Sequence, residues 1–238
     1  MSRPNRIDRT MTMKDLFLHE ELTLLALRDR AGTFVSGTQY PYAVGGAVLA
    51  ELLMARRIGR TVHRGKRRIE VIDSAPTGDP LLDQWIEKMS ASRKPRSMKE
   101  WVGKIGEIGR LKHRVAVQLC RRGILRNEED KVLGIFSRQT YPEVNPEPER
   151  RLLDRLEAAI FSDGDVDPRT AVLVALANAG GILRVVFDKR RLKERKERIA
   201  AISEGQMTAE AAKEAIEAMQ AAVMVAVILP TFIATTTT

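Results

Sequence analysis

Along this chain, stretches whose apolar residues recur every three or four positions alternate with short stretches where they recur every second position. Residues 14–28 (KDLFLHEELTLLALR) set Leu18, Leu22 and Leu25 on one face with Glu20 and Glu21 beside it, the pattern of an amphipathic helix. Turn-forming residues follow from Asp29 to Gly37. A second helix is predicted over about 41–57, opened by Pro41 and lined by Val44, Val48, Leu49, Leu52 and Leu53. The period then shortens: "IGRTVHRGKRRIEVI" has two strand-like arms around a turn at His63 to Lys66, a β-hairpin.

The stretch "DSAPTGDPLLDQW" (73–85) comes next. Asp79 directly before Pro80 reads as a helix N-cap followed by a proline at the first helical position. Leu81, Leu82, Trp85, Ile86 and Met89 continue at helical spacing. A basic loop over 90–98, a short helix "MKEWVGKIG" and a basic helix over 106–122 follow. A second hairpin is predicted over 123–137 with its tip at Asn127 to Asp130, so the order helix, Arg-Arg, hairpin occurs twice. Pro142, Pro146 and Pro148 break the chain before helices at about 149–161, 169–187, 188–202 and 208–228, the last capped by Thr208 with Glu210 in its first turn. The whole reads as mostly α with two small hairpins: one domain over 14–230, a loose N-terminus at 1–13 and a frayed tail at 231–238.

Composition narrows the function. Lys and Arg number 40 against 31 Asp and Glu, a formal net charge of +9, which predicts an acidic partner: an anionic membrane face or a nucleic acid. The chain is expected to be soluble and without a secretory signal. Two apolar stretches, 171–187 and 221–234, are read as core helices, since the first carries Asn178 and Arg184 and the second is short and broken by Pro230. Cys120 is a lone cysteine at helical spacing, read as a small core residue.

Catalytic patterns are incomplete. "HEELT" has Thr23 where a zinc-protease helix needs its second ligand, and His19, His63 and His113 lie in separate elements, so no metal or cofactor is expected. Cys120 and His113 are two helical turns apart, about 10 Å, too far for a nucleophile and its base. "GKIGEIG" (Gly103, Gly106, Gly109) has neither P-loop nor dinucleotide spacing, and Asp79 and Asp83 share one helix start. What remains are three basic clusters, at 56–68, 110–126 and 189–198.

"LFLHEELTLLALRDRAGTF", "AELLMARRIGR", "DSAPTGDPLLD", "RVAVQLCRRGIL" and the hairpin after them, in this order, resemble the Golgi phosphoprotein 3 family, with "SAPTGDPLLD" the strongest piece. The resemblance implies a compact helical bundle around a central buried helix, here 171–187, with a protruding hairpin. It implies a non-enzymatic peripheral membrane protein that binds phosphatidylinositol 4-phosphate and acts as an adaptor for the cytoplasmic tails of membrane proteins. The family's headgroup pocket uses a Trp before the second helix, an Arg within it and two Arg three apart on a later helix. These positions fall at Ser36, Gly45, Gly109 and Lys112. Lys112 keeps its charge, Arg110 and Arg114 are the neighbours that could substitute, and Tyr40 or Tyr42 could replace the aromatic. The hairpin 123–137, with Val132, Leu133, Ile135 and Phe136, is assigned to self-association or packing. The place implied is cytoplasmic at a membrane surface, at the Golgi only in a eukaryote. A nucleic-acid binder with winged-helix-like units at 41–72, and a pure protein scaffold, stay open beside it.

Overall fold

The computed structural model describes residues 16–28, 32–34, 39–132 and 136–205. The expected loose N-terminus, the helix at 208–228 and the frayed tail lie outside the described residues. Within them the chain is mainly helical, with two hairpins and one two-residue strand pair.

The first helix, α1 (Leu18–Leu25), is shorter than its periodicity implied and is buried on every side. It ends because β1 (Leu27–Arg28) pairs with β2 (Thr33–Phe34), an antiparallel contact too short to leave a period in the sequence. Helix α2 (Tyr40–Met54) follows, then β3 (Ile58–His63) and β4 (Lys66–Val71). That hairpin closes through Arg64 (φ 51°) and Gly65 (φ 74°), the two left-handed positions of a type I′ turn. Helix α3 (Pro80–Ser90) starts at Asp79 as expected, its carboxylate accepting from Leu81 N at 2.9 Å and Leu82 N at 2.8 Å. Helix α4 (Met98–Gly106) opens with a capping box between Ser97 and Glu100.

Four further expected boundaries are corrected. The helix predicted over 106–122 begins only at Leu111 (α5, Leu111–Arg121), because Arg110 adopts a left-handed conformation, φ 60°. The second hairpin is β5 (Glu128–Val132) with β6 (Phe136–Thr140), so Asn127 to Asp130 run into the first strand and do not form the tip. Leu133 and Ile135, expected to drive self-association with Val132 and Phe136, lie outside the described residues. After α6 (Glu147–Phe161), the predicted helix 169–187 divides into α7 (Pro168–Ala179) and α8 (Leu183–Val186). The break is at Gly181, φ 72°, where Gly181 N and Ile182 N return to the carbonyls of Asn178 and Ala177. Arg195 likewise separates α9 (Lys189–Glu194) from α10 (Lys196–Ser203).

Helix α7 is the centre of the bundle. Residues 170–177 are all buried, against α1, α2, α6 and α10. The moment of a helix buried all round is small, which is why its sequence reads as uniformly apolar. A smaller core under α5 and the second hairpin gathers Leu24, Leu119, Ile124, Leu125 and Tyr141.

Candidate lipid-headgroup site

Arg110, Lys112 and Arg114 leave the start of α5 and are all exposed. The Lys112 ammonium lies 5.2 Å from the centroid of the Phe34 ring, a cation–π contact. His113 stands edge-on to the same ring, centroids 5.7 Å apart, and its Nδ1 is 3.0 Å from the Tyr141 hydroxyl. Burial, and then the charges of Lys112 and Arg110, hold the His113 imidazole below its ordinary pKa. Those two cations precede His113 in the chain, and Lys112 is the one seated over the Phe34 ring. Arg114 turns elsewhere: its Nη2 donates to Gln84 Oε1 at 2.6 Å, toward α3. Two residues along a helix is a rotation of about 200°, so Lys112 and Arg114 point to opposite sides.

Neither expected tyrosine supplies an exposed aromatic. Tyr40 is buried, its hydroxyl 2.8 Å from Thr23 Oγ1, and burial drives its phenol far above the ordinary value. Tyr42 packs over Gly106 instead. The aromatic beside the cations is Phe34, which sits in a stretch that reads only as turn. Ser36 lies outside the described residues.

The stretch 73–85 performs structure. Asp83 Oδ1 accepts from both the amide and the hydroxyl of Thr77 at 2.6 Å, which fixes the loop ahead of α3. Asp79 is 3% exposed and, besides capping α3, accepts from Gln118 Nε2 of α5 at 3.0 Å and lies 3.3 Å from His19 Nε2 of α1. Burial alone would raise this carboxyl, but His19 and the amides of Leu82 and Leu81 outweigh it and hold it below its ordinary value. The His19 of "HEELT" is thus a core partner of Asp79. Among the described residues no group of three or more His, Cys, Asp and Glu could hold a metal ion. The Cys120 thiol is pushed up by burial, which disfavours the thiolate.

The model of the Golgi phosphoprotein 3 (GPP34) family matches residues 18–219, most of the sequence and all the helices described above. The chain belongs to that family. It is similar to vacuolar protein sorting-associated protein 74 of Eremothecium gossypii, 29% identical over 160 residues, covering 59% of this chain and 46% of that protein. The chain thus spans about half the length of this curated relative.

Gly45 occupies the position where the family resemblance calls for an arginine, and a side chain does not fit there. A Cβ on Gly45 would stand 2.8 Å from the Val102 carbonyl oxygen and 3.3 Å from Ile105 Cβ, because α2 and α4 cross in direct backbone contact. Gly45→Ala should therefore lower stability by about 1–3 kcal/mol, read as an earlier urea midpoint. Gly109→Ala, with open space around it, is the control and should leave the midpoint nearly unchanged. In this member of the Golgi phosphoprotein 3 family, α2 has no room at Gly45 for a side chain the size of arginine.

Two further basic features adjoin α4. On the β3–β4 hairpin, Val62 (71% exposed) pairs with Arg67, and His63 with Lys66, so an apolar residue stands among cations at an exposed tip; Ile72 (63% exposed) stands at its base. The hairpin joins α4 through Ile69 N donating to Arg96 O at 2.8 Å and the Arg68–Glu100 ion pair. Beside it, α3 and α4 flank an open pocket of about 390 Å³ lined by Trp85, Lys88, Arg96, Trp101, Lys104 and Glu107.

Proposed function

We propose that this protein is a non-catalytic peripheral membrane protein that binds anionic lipid, with a phosphoinositide headgroup of the phosphatidylinositol 4-phosphate type as its preferred ligand. Arg110 and Lys112 contact the headgroup phosphate, and Arg114 adds charge from the far side of the helix. The observation that carries this reading is the exposed Lys112 ammonium over the Phe34 ring at the start of α5, with exposed Arg110 two residues before it. The exposed basic and apolar residues of the β3–β4 hairpin support it, since such a tip gains from both lipid charge and the interface. Among the described residues no helix is long and apolar enough to cross a membrane, so attachment by these helices is to a surface. The family, and the sorting role in the relative's name, support an adaptor that gathers cytoplasmic tails of membrane proteins at the cytosolic face, at the Golgi in a eukaryote. Sequence reading by the 41–72 unit is disfavoured, because residues 43–53 of α2 are all buried and offer nothing to base edges.

Liposome co-sedimentation at physiological salt tests the proposal. Neutral vesicles should leave the protein in the supernatant, phosphatidylserine vesicles should pellet part of it, and vesicles with phosphatidylinositol 4-phosphate at matched charge should pellet more. A basic residue at an anionic surface is worth about 1 kcal/mol, so Lys112→Glu, which also adds repulsion, should weaken binding by about 2 kcal/mol, roughly 30-fold. Absence from every pellet overturns the membrane reading. Equal pelleting with both anionic vesicles, untouched by Lys112→Glu, removes the headgroup preference.

A further inference from the structure

The pocket between α3 and α4 is assigned no role by the α5 site. Its walls carry three cations, Lys88, Arg96 and Lys104, against the single carboxylate of Glu107, a local excess of +2. Two of the cations are held in place by the aromatic wall: the Lys88 ammonium lies 4.8 Å from the Trp85 ring centroid and the Arg96 guanidinium 5.7 Å from that of Trp101. The two indoles meet edge to face, 6.2 Å between centroids, and lock α3 against α4. Among the described residues, neither Lys88 nor Lys104 has a carboxylate within 4.0 Å.

We propose that this pocket binds a small organic phosphate monoester, its phosphate held by Lys88, Arg96 and Lys104 and its body against the faces of Trp85 and Trp101. The charge selects the class: a phosphate monoester carries about −1.5 to −2 at neutral pH, which matches the local excess, whereas a single carboxylate leaves half of it uncompensated. Arg96 offers a planar fork and the two lysines offer point charges, the combination that surrounds a tetrahedral anion. The size selects the body. A pocket of about 390 Å³ has room well beyond a bare phosphate, and the indole rims suit the apolar edge of a small ring such as a cyclitol or sugar. The ligand can be a soluble metabolite or the headgroup of a lipid, since both display the same chemistry. The inference does not depend on the α5 site or on the membrane reading.

Trp85 and Trp101 are the only tryptophans in the chain, so intrinsic emission reads this pocket directly. The full chain would be titrated with myo-inositol 1-phosphate, myo-inositol, inorganic phosphate, and vesicles with and without phosphatidylinositol 4-phosphate. A saturable emission change with the monoester, none with myo-inositol and a weaker one with inorganic phosphate is expected. Lys88→Glu and Lys104→Glu, both exposed, should each weaken binding about tenfold or more, the loss of one charge-assisted contact. Lys99→Glu, an equal charge reversal on α4 outside the pocket, should leave the titration unchanged. A response confined to the phosphoinositide vesicles and lost in Lys104→Glu identifies the source as lipid; a response confined to the free monoester identifies it as soluble. No saturable response to either, or a response that Lys88→Glu and Lys104→Glu leave intact, overturns the proposal. Inorganic phosphate binding as tightly as the monoester overturns the organic body. Vesicle pelleting is scored separately, so the pocket and the membrane reading stand or fall apart.

Discussion

Asp79→Ala should cost about 3–5 kcal/mol of stability, more than an N-cap alone is worth. Loss of a capping carboxylate removes about 0.5–2 kcal/mol. Here the same carboxylate also faces His19, which is fully buried, and accepts from Gln118, so truncation strips three elements of a shared partner. Truncation leaves the buried His19 and Gln118 side chains without their shared acceptor, each a further penalty of about 1–3 kcal/mol. Asp79→Asn separates the contributions, because an asparagine oxygen still caps Leu81 and Leu82 while the charge toward His19 is gone; its loss should be the smaller. The pH dependence has a defined sign. The Asp79 carboxyl is held below its ordinary value of 3.8, so it favours the folded state above that pH, and its contribution is lost as pH falls through the lowered folded value. Urea midpoints of the wild type and Asp79→Asn should therefore draw together on acidification below about pH 4. A gap that stays constant down to pH 2 would show that the charge of Asp79 contributes nothing.

The elements that were legible in the sequence are those that write their own period or cap. Helices α2, α3 and α6 and the β3–β4 hairpin carry apolar spacing over ten or more residues, or a turn with Gly65 at its left-handed position. Where the chain breaks without a chemical marker, periodicity runs on past the end. Arg110 takes a left-handed conformation with no glycine to announce it, and α5 therefore starts later than its pattern. The polar run Asn127 to Asp130 reads as a turn, yet Asp130 is paired opposite Arg138 in β5–β6, a register that only the partner strand can specify. In the same way β1–β2 is held by a partner and not by propensity.

The functional surfaces divide along the same line. Charge made the start of α5 visible, and helical rotation already separates Lys112 from Arg114, but Phe34 gave no sign of standing under Lys112. The pocket was hidden for a tertiary reason: Trp85 and Trp101 each look like ordinary apolar positions of separate helices, and the pocket exists only where α3 meets α4. One local signal was available. Lys88 follows Trp85 by three residues, the spacing at which a cation can fold back over a ring on the same helix face.

Arg169→Ala should destabilise the bundle by about 3–5 kcal/mol, the scale of a broken buried ion pair. Arg169, at the start of α7, grips both oxygens of Glu51 on α2, at 3.0 and 3.1 Å, and donates to Leu16 O at 2.6 Å. Glu51 in turn accepts from Leu18 N at 2.7 Å, so one guanidinium ties together α1, α2 and the central helix. Glu21, paired with Arg155 at 2.7 Å, lies 3.8 Å from the same arginine. Arg169→Lys should recover little, because an ammonium cannot make the paired contact. Burial already raises the Glu21 carboxyl above 4.5, in spite of Arg169 and Arg155, and removing Arg169 raises it further. A carboxyl raised in the folded state favours folding below its unfolded value and loses that contribution as pH rises through the folded value. The deficit of Arg169→Ala should therefore be smallest near pH 4–5 and grow toward pH 7, the same direction as the Asp79→Asn gap but in a higher pH window. Glu51→Gln in the Arg169→Ala background should restore part of the loss, since the neutral amide leaves no buried charge unpaired, and the double-mutant cycle measures the coupling. Additive losses in that cycle would mean that Arg169 acts through packing alone. Since α1, α2 and α7 are the frame on which α4 and α5 rest, vesicle binding by the variant should fall only as far as its folded fraction does.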